Sequence, residues 1–279
     1  MTYYLPVAES PDCVALRNAC AGTGLEISNR PHMQRRLQSV LFPEAWIVSP
    51  GENVADSAHY QRSHKAITDT FTDEECRAIT KWTDVENAYT ADLNTALSHY
   101  TATGQKTWIQ DPDNMELGLD VLVEERMLTG VLAKLPQCRS RTLRIAHVTD
   151  PQFTDVYPGK IYPGQLASNY PRFMSTSGHR IQNDDVLDAF DGSKDENAVV
   201  YEFIATSGKP LGEELNEADA EEKEFLFHPS CVFMLAATAK AVPAQDGAST
   251  RVAAIYVEVA GHDARQVRNL YTGEFPPRR

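Results

Sequence analysis

The sequence predicts an α+β chain with a largely antiparallel sheet. Three observations carry this. Apolar residues recur at helical spacing through roughly residues 73–135, strand-length apolar segments follow residue 136, and no βαβ alternation links the two halves.

The first helical signal lies at 32–41, where Met33, Leu37, Val40 and Leu41 share a stripe with basic residues between them. Residues 48–63, with Pro50, Gly51, Asn53, Asp56 and three serines, read as a loop or linker. Thr72 and Glu75 have the form of a capping box. Ala78, Ile79, Trp82, Val85, Leu93, Ala96 and Leu97 then predict one helix or two short ones over 73–100, followed by a loop at 102–114. A further helix is predicted over 116–135, stopped by Pro136. Strands are predicted at 142–148, 198–207, 223–235 (broken near Pro229) and 251–260, with a turn-rich loop over 150–171.

The chain of 279 residues is long enough for one large core or two modest ones, and its apolar share of 42% and charged share of 23% are globular values. A net charge of −13 repels phosphate backbones, so nucleic acid is not an expected partner. A basic protein surface, or a small molecule in a local cationic pocket, suits that charge better. The five cysteines are widely spaced with no CxxC, and His147, His179, His228 and His262 lack ligand spacing; reduced thiols and no metal are expected. No apolar run reaches the length of a membrane span, and the first residues, MTYYLPVAESPDC, lack the regions of a cleavable signal peptide.

Three features carry chemistry. Arg144 lies mid-strand, where a guanidinium costs desolvation unless paired; a salt-bridged surface residue is the plain alternative. Ser175-Thr176-Ser177 is a run of small hydroxyls, alternatively an ordinary polar turn. Glu222 and Glu224 stand two apart at the entrance of an apolar strand, and period two would put both on one face. Crowded carboxylates repel unless something uses them; an exposed acidic strand end is the alternative.

In this order, Arg144, FMSTS (173–177) and EKE (222–224) resemble the arginine–serine–glutamate class of mono-ADP-ribosyltransferases, which includes bacterial toxins and effectors and animal ectoenzymes. Segments 71–97, 159–177 and 199–235 extend the resemblance over about 70–260. The chain departs from the pattern at Leu143-Arg144-Ile145, where members of the class commonly have Tyr before and Gly after the arginine; Arg139 and Arg141 lie close by.

The resemblance implies a mixed, mainly antiparallel β-sandwich core preceded by a helical segment, with an N-terminal extension over 1–66 and a catalytic domain over 67–279. It implies NAD⁺ as co-substrate, no metal, and transfer of ADP-ribose to a side chain of a target protein with release of nicotinamide. Arginine is the default acceptor; a threonine on ubiquitin, and water in an NAD⁺ glycohydrolase, are the alternatives. The catalytic residues it implies are Glu224, Glu222 and Ser175. Those implied to bind NAD⁺ are Arg144, Ile145, Ser175, Thr176, Ser177, Arg180 and Phe190. The implied setting is a monomeric virulence effector, secreted without a cleavable signal peptide. It would act in the cytosol of a host or competitor cell on a protein there, ubiquitin among the candidates.

Overall fold

The structure is a computed structural model that describes residues 2–4, 11–41, 53–83, 89–108, 119–148, 156–178, 197–212, 215, 223–241 and 251–277. Its helices are α1 (Pro11–Cys20), α2 (Arg30–Leu41), α3 (Ala58–Thr68), α4 (Asp73–Thr83), α5 (Tyr89–Thr103) and α6 (Val121–Lys134). Its strands are β1 (Thr2–Tyr4), β2 (Thr107–Trp108), β3 (Leu119–Asp120), β4 (Ser140–Val148), β5 (Leu166–Ser168), β6 (Met174–Ser177), β7 (Asn197–Ala205), β8 (Lys209–Pro210), β9 (Glu224–Phe227), β10 (Val232–Ala241), β11 (Arg251–Glu258) and β12 (Arg268–Asn269).

The main sheet runs β12-β5-β10-β11-β7-β4-β6-β9-β8, with β1 added against β10. Pairs β7–β11 and β5–β12 are parallel and the other pairs of this sheet antiparallel, so the α+β, mainly antiparallel prediction holds. The ladder is continuous, and its two halves face each other. Strands β9 and β10 have β11, β7, β4 and β6 between them, which in a flat sheet would hold them roughly 24 Å apart. Yet the rings of Phe227 on β9 and Phe233 on β10 lie 5.6 Å centroid to centroid, and Phe203 on β7 lies 4.8 Å from Phe233. The sheet therefore curls around an aromatic core of Tyr157, Tyr201, Phe203, Phe225, Phe227, Phe233 and Tyr256, each at most 1% exposed. The turn at Pro229, where the predicted strand breaks, closes the curl between β9 and β10.

Helices cover the outside. The predicted stripe Met33, Leu37, Val40 and Leu41 is buried on α2, packed with α1 against Leu143, Val200, Ile255 and Val257. Helices α4, α5 and α6 pack through Ile79, Trp82, Leu97, Leu128 and Leu132 against Phe173, Leu211 and Leu226. The capping box forms as predicted: Glu75 N–H donates to Thr72 Oγ1 (3.2 Å) and Thr72 N–H to Glu75 Oε2 (3.1 Å).

The region over 73–100 is two helices, one of the two forms predicted, with 84–88 outside the described residues. Three other predicted boundaries shift. The helix predicted over 116–135 begins at Val121, because the Asp120 carboxylate caps it by accepting from Leu122 and Val123 N–H; 116–118 lie outside the described residues. The presumed loops at 48–63 and 150–171 contain the start of α3 and all of β5. Helix α3 buries Tyr60, His64 and Thr68, a stripe too polar to register as hydrophobic periodicity, and Ser57 caps it by accepting from Tyr60 N–H.

Candidate functional site

Residues far apart in the chain become neighbours because β4, β6 and β9 are consecutive in the sheet. Leu143 on β4 stands opposite Ser177 on β6, and Ser177 in turn opposite Glu224, the first residue of β9. Arg144 follows directly, and its Nη1 donates to the Ser175 carbonyl at 2.7 Å. Arg144, Ser175, Ser177 and Glu224 are all half-buried, with enough exposure to meet a ligand. The Ser175 side chain falls opposite Leu226, so register alone brings Ser177 nearest to Glu224. Thr176 points the other way. It is 3% exposed and its hydroxyl donates to the Phe225 carbonyl at 3.3 Å.

The guanidiniums on β4 divide into two kinds. Arg141 turns to the outer face, where its Nε makes a short ion pair with Glu202. Arg36 of α2 reaches the same carboxylate through Nε at 3.1 and 3.0 Å and Nη2 at 3.0 Å. Glu202 is fully buried, and two cations offset its desolvation. Arg144 faces the other way. Its guanidinium carbon lies 6.0 Å from the ring centroid of Tyr271, and its Nε is buried with no hydrogen-bond partner among the described residues. It is thus neither the surface ion pair its plain alternative supposed nor a satisfied core group. A buried donor left open costs free energy that a ligand oxygen can recover.

The backbone beside Arg144 is also poised. Asn53, 2% exposed, donates from Nδ2 to the Gly178 carbonyl (2.6 Å) and accepts at Oδ1 from Arg141 N–H (2.5 Å). Arg141 N–H therefore points to the β6 side, and alternation along the strand sends the N–H and C=O of Ile145 to that side as well. Among the described residues the β4–β6 pairing stops at Leu143↔Ser177. Ser175, which would come opposite Ile145 if the ladder continued, gives its carbonyl to Arg144 instead. The two strands part at this point.

At the entry to β9 the backbone departs from extended conformation. Lys223 has φ of 48°, in the left-handed region, and strand structure begins only at Glu224. Period-two alternation requires extended backbone, so it cannot carry the face of Glu224 back to Glu222. Lys223 is held there by its carbonyl accepting from Gly178 N–H (3.0 Å) and by its ammonium on Asp56 (2.7 Å). Gly178 is required at its end of this link, because a Cβ there would sit 2.2 Å from a ring carbon of Phe225. Glu222, Arg180 and Phe190, with the whole segment 179–196, lie outside the described residues.

Two residues of the site gave no functional signal in the sequence. Trp82 of α4 donates its indole N–H to Glu224 Oε1 at 3.0 Å. Its helical spacing marks it only as a packing residue. Asn53 lies in a run whose composition says linker. Nothing in the sequence distinguishes it from its polar neighbours.

No family model matches this chain, and no curated protein does. Solved structures do. The Vis toxin, an ADP-ribosyltransferase from Vibrio splendidus, is 15% identical over 91% of this chain and 98% of its own, with a TM-score of 0.47. The ADP-ribosyltransferase HopU1 of Pseudomonas syringae pv. Tomato DC3000 is 16% identical over 90% and 98%, with a TM-score of 0.47. Exoenzyme S from Pseudomonas aeruginosa, in complex with human 14-3-3 protein beta and bound to Carba-NAD, is 15% identical over 82% and 94%, with a TM-score of 0.43. Vis and HopU1 are both named as ADP-ribosyltransferases.

Proposed function

We propose that this chain is a mono-ADP-ribosyltransferase that splits NAD⁺ between nicotinamide and ribose and passes ADP-ribose to a side chain of a target protein, arginine by default. The observation that supports it most is the adjacency of Arg144, the Ser175–Ser177 run and Glu224 on three consecutive strands.

The residues fit the parts of that substrate. A diphosphate in a protein of net charge −13 needs a local cation. Arg144, with a buried Nε that has no partner among the described residues, is suited to bind phosphate oxygens. The backbone of Ile145, facing the side where β4 and β6 part, suits the nicotinamide amide. When the glycosidic bond breaks, its electron pair leaves with nicotinamide and positive charge develops on the ribose. Glu224 stabilises that charge more in the transition state than in the ground state. Ser177, opposite Glu224, and Ser175, one pair further along, hold the sugar and the carboxylate in register. Thr176, on the core face, supports the strand beneath them. In this reading Glu222 takes the proton of the incoming acceptor, and Arg180 and Phe190 contact NAD⁺. The chain is then an effector that acts on a protein of another cell.

The test is to incubate the protein with NAD⁺ labelled in the adenylate half, alone and with agmatine, ubiquitin or a cell lysate. The expected result is nicotinamide release with label on agmatine or on lysate protein, lost about 10²–10³-fold in Glu224→Gln. Label on ubiquitin alone would move the acceptor to that protein. Free ADP-ribose as the sole product in every arm would make the chain a glycohydrolase. Intact NAD⁺ throughout would overturn the reading.

A further inference from the structure

We propose that Trp82 is a positioning residue for Glu224, its indole N–H fixing one carboxylate oxygen so that the group is aimed at the bond that breaks. The inference rests on the reading of Glu224 as the catalytic carboxylate.

The geometry supports a built contact. Trp82 Nε1 donates to Glu224 Oε1 at 3.0 Å across 142 residues of chain. The ring is itself held. It is 3% exposed, packs edge-on against Phe173 at 5.7 Å, and its own carbonyl accepts from Thr90 Oγ1 at 2.8 Å. Helix α4, whose last turn carries it, is pinned at the other end by the capping box and by Lys134 on Glu75. Glu224 needs such a partner more than most strand residues do. It is the first residue of β9, half-buried, and follows a residue in the left-handed region. A glutamate left to itself has several rotamers, and ordering them costs free energy. An indole N–H is a donor only, so the contact also favours the ionised carboxylate over the protonated one.

Trp82→Phe keeps the aromatic packing and removes the donor. In nicotinamide-release kinetics across pH, kcat should fall about tenfold or more. KM for NAD⁺ should stay within about twofold, and the acidic limb of the kcat profile should move to higher pH, which a loss of packing alone would not produce. A second measurement needs no turnover. Of the three tryptophan indole N–H resonances, the one lost in Trp82→Phe should move upfield in Glu224→Ala while the other two stay. An unchanged kcat and acidic limb in Trp82→Phe, or an indole resonance indifferent to Glu224→Ala, overturns this inference alone. A wild-type protein that releases no nicotinamide overturns the functional reading beneath it.

Discussion

Asn53 and Gly178, 125 residues apart, are joined by a 2.6 Å hydrogen bond from a buried amide to a strand-end carbonyl. The same amide accepts from Arg141 N–H, so one side chain ties β4 to the end of β6 beside the candidate site. Val54 N–H adds a bond to the Arg139 carbonyl (3.0 Å), and Asp56 holds Lys223. A short segment ahead of α3 thus grips all three strands that carry the site.

Asn53→Ala removes both partners and leaves a buried carbonyl and N–H open, at a cost of about 1–3 kcal/mol each. Asn53→Asp keeps the acceptor for Arg141 but sets a carboxylate oxygen against the Gly178 carbonyl, so it should destabilise at least as much despite its near-identical shape. Urea midpoints of the two variants and the parent decide this; an Asp variant as stable as the parent would show that the amide donor is idle.

Glu202 and Arg144 should respond oppositely to substitution. Removing the buried carboxylate with Glu202→Ala strands two cations and should cost about 3–5 kcal/mol. Arg144→Ala should leave the melting temperature within a few degrees while raising KM for NAD⁺ about tenfold or more. Thermal melts and NAD⁺ titrations of the two variants should give this crossed pattern. A strong loss of stability in Arg144→Ala would mean that this arginine is structural.

Gly178→Ala places a methyl 2.2 Å from a ring carbon of Phe225 and should cost about 1–3 kcal/mol through displaced strands. Shrinking the obstacle in the double variant with Phe225→Leu should recover part of that loss. Additive denaturation midpoints would refute the steric account.

His228 supplies a pH dependence. Its Nδ1 accepts from Ser230 N–H at 3.1 Å, which leaves Nε2–H to donate to Thr129 Oγ1 at 3.0 Å, and burial holds its pKa below the ordinary 6.5. The folded protein therefore binds this proton less readily than the unfolded chain. Stability should be unaffected by His228 at high pH and should fall as pH drops through 6.5 towards the depressed folded value. Stability against pH for the parent and His228→Asn should diverge in slope over that window; parallel curves would contradict it.

The main residues of the candidate site could be picked out in the sequence because they occupy strands. Arg144, Ser175–Ser177 and Glu224 each sit in or at the edge of an apolar segment, where a polar residue needs a reason, and their order supplied one. The supporting residues were not legible, for physical reasons. Trp82 is fully accounted for by helical packing, and periodicity says nothing about where an indole N–H points. Asn53 acts through backbone groups, which carry no sequence identity. The left-handed turn at Lys223 occurs at a residue type that gives no warning of it. The curl of the sheet follows from contacts between Phe203, Phe227 and Phe233, whose alternation along each strand is the same in a flat sheet.

The paired cations on Glu202 have one more consequence. Arg36 belongs to a helix on the back of the sheet, and Arg141 to the strand that three residues later presents Arg144 at the front. The helix cannot lift away without leaving a bare charge inside that strand. Front and back should therefore melt as one cooperative block, with amide protons of α2 and β4 exchanging at a common rate set by the same opening event.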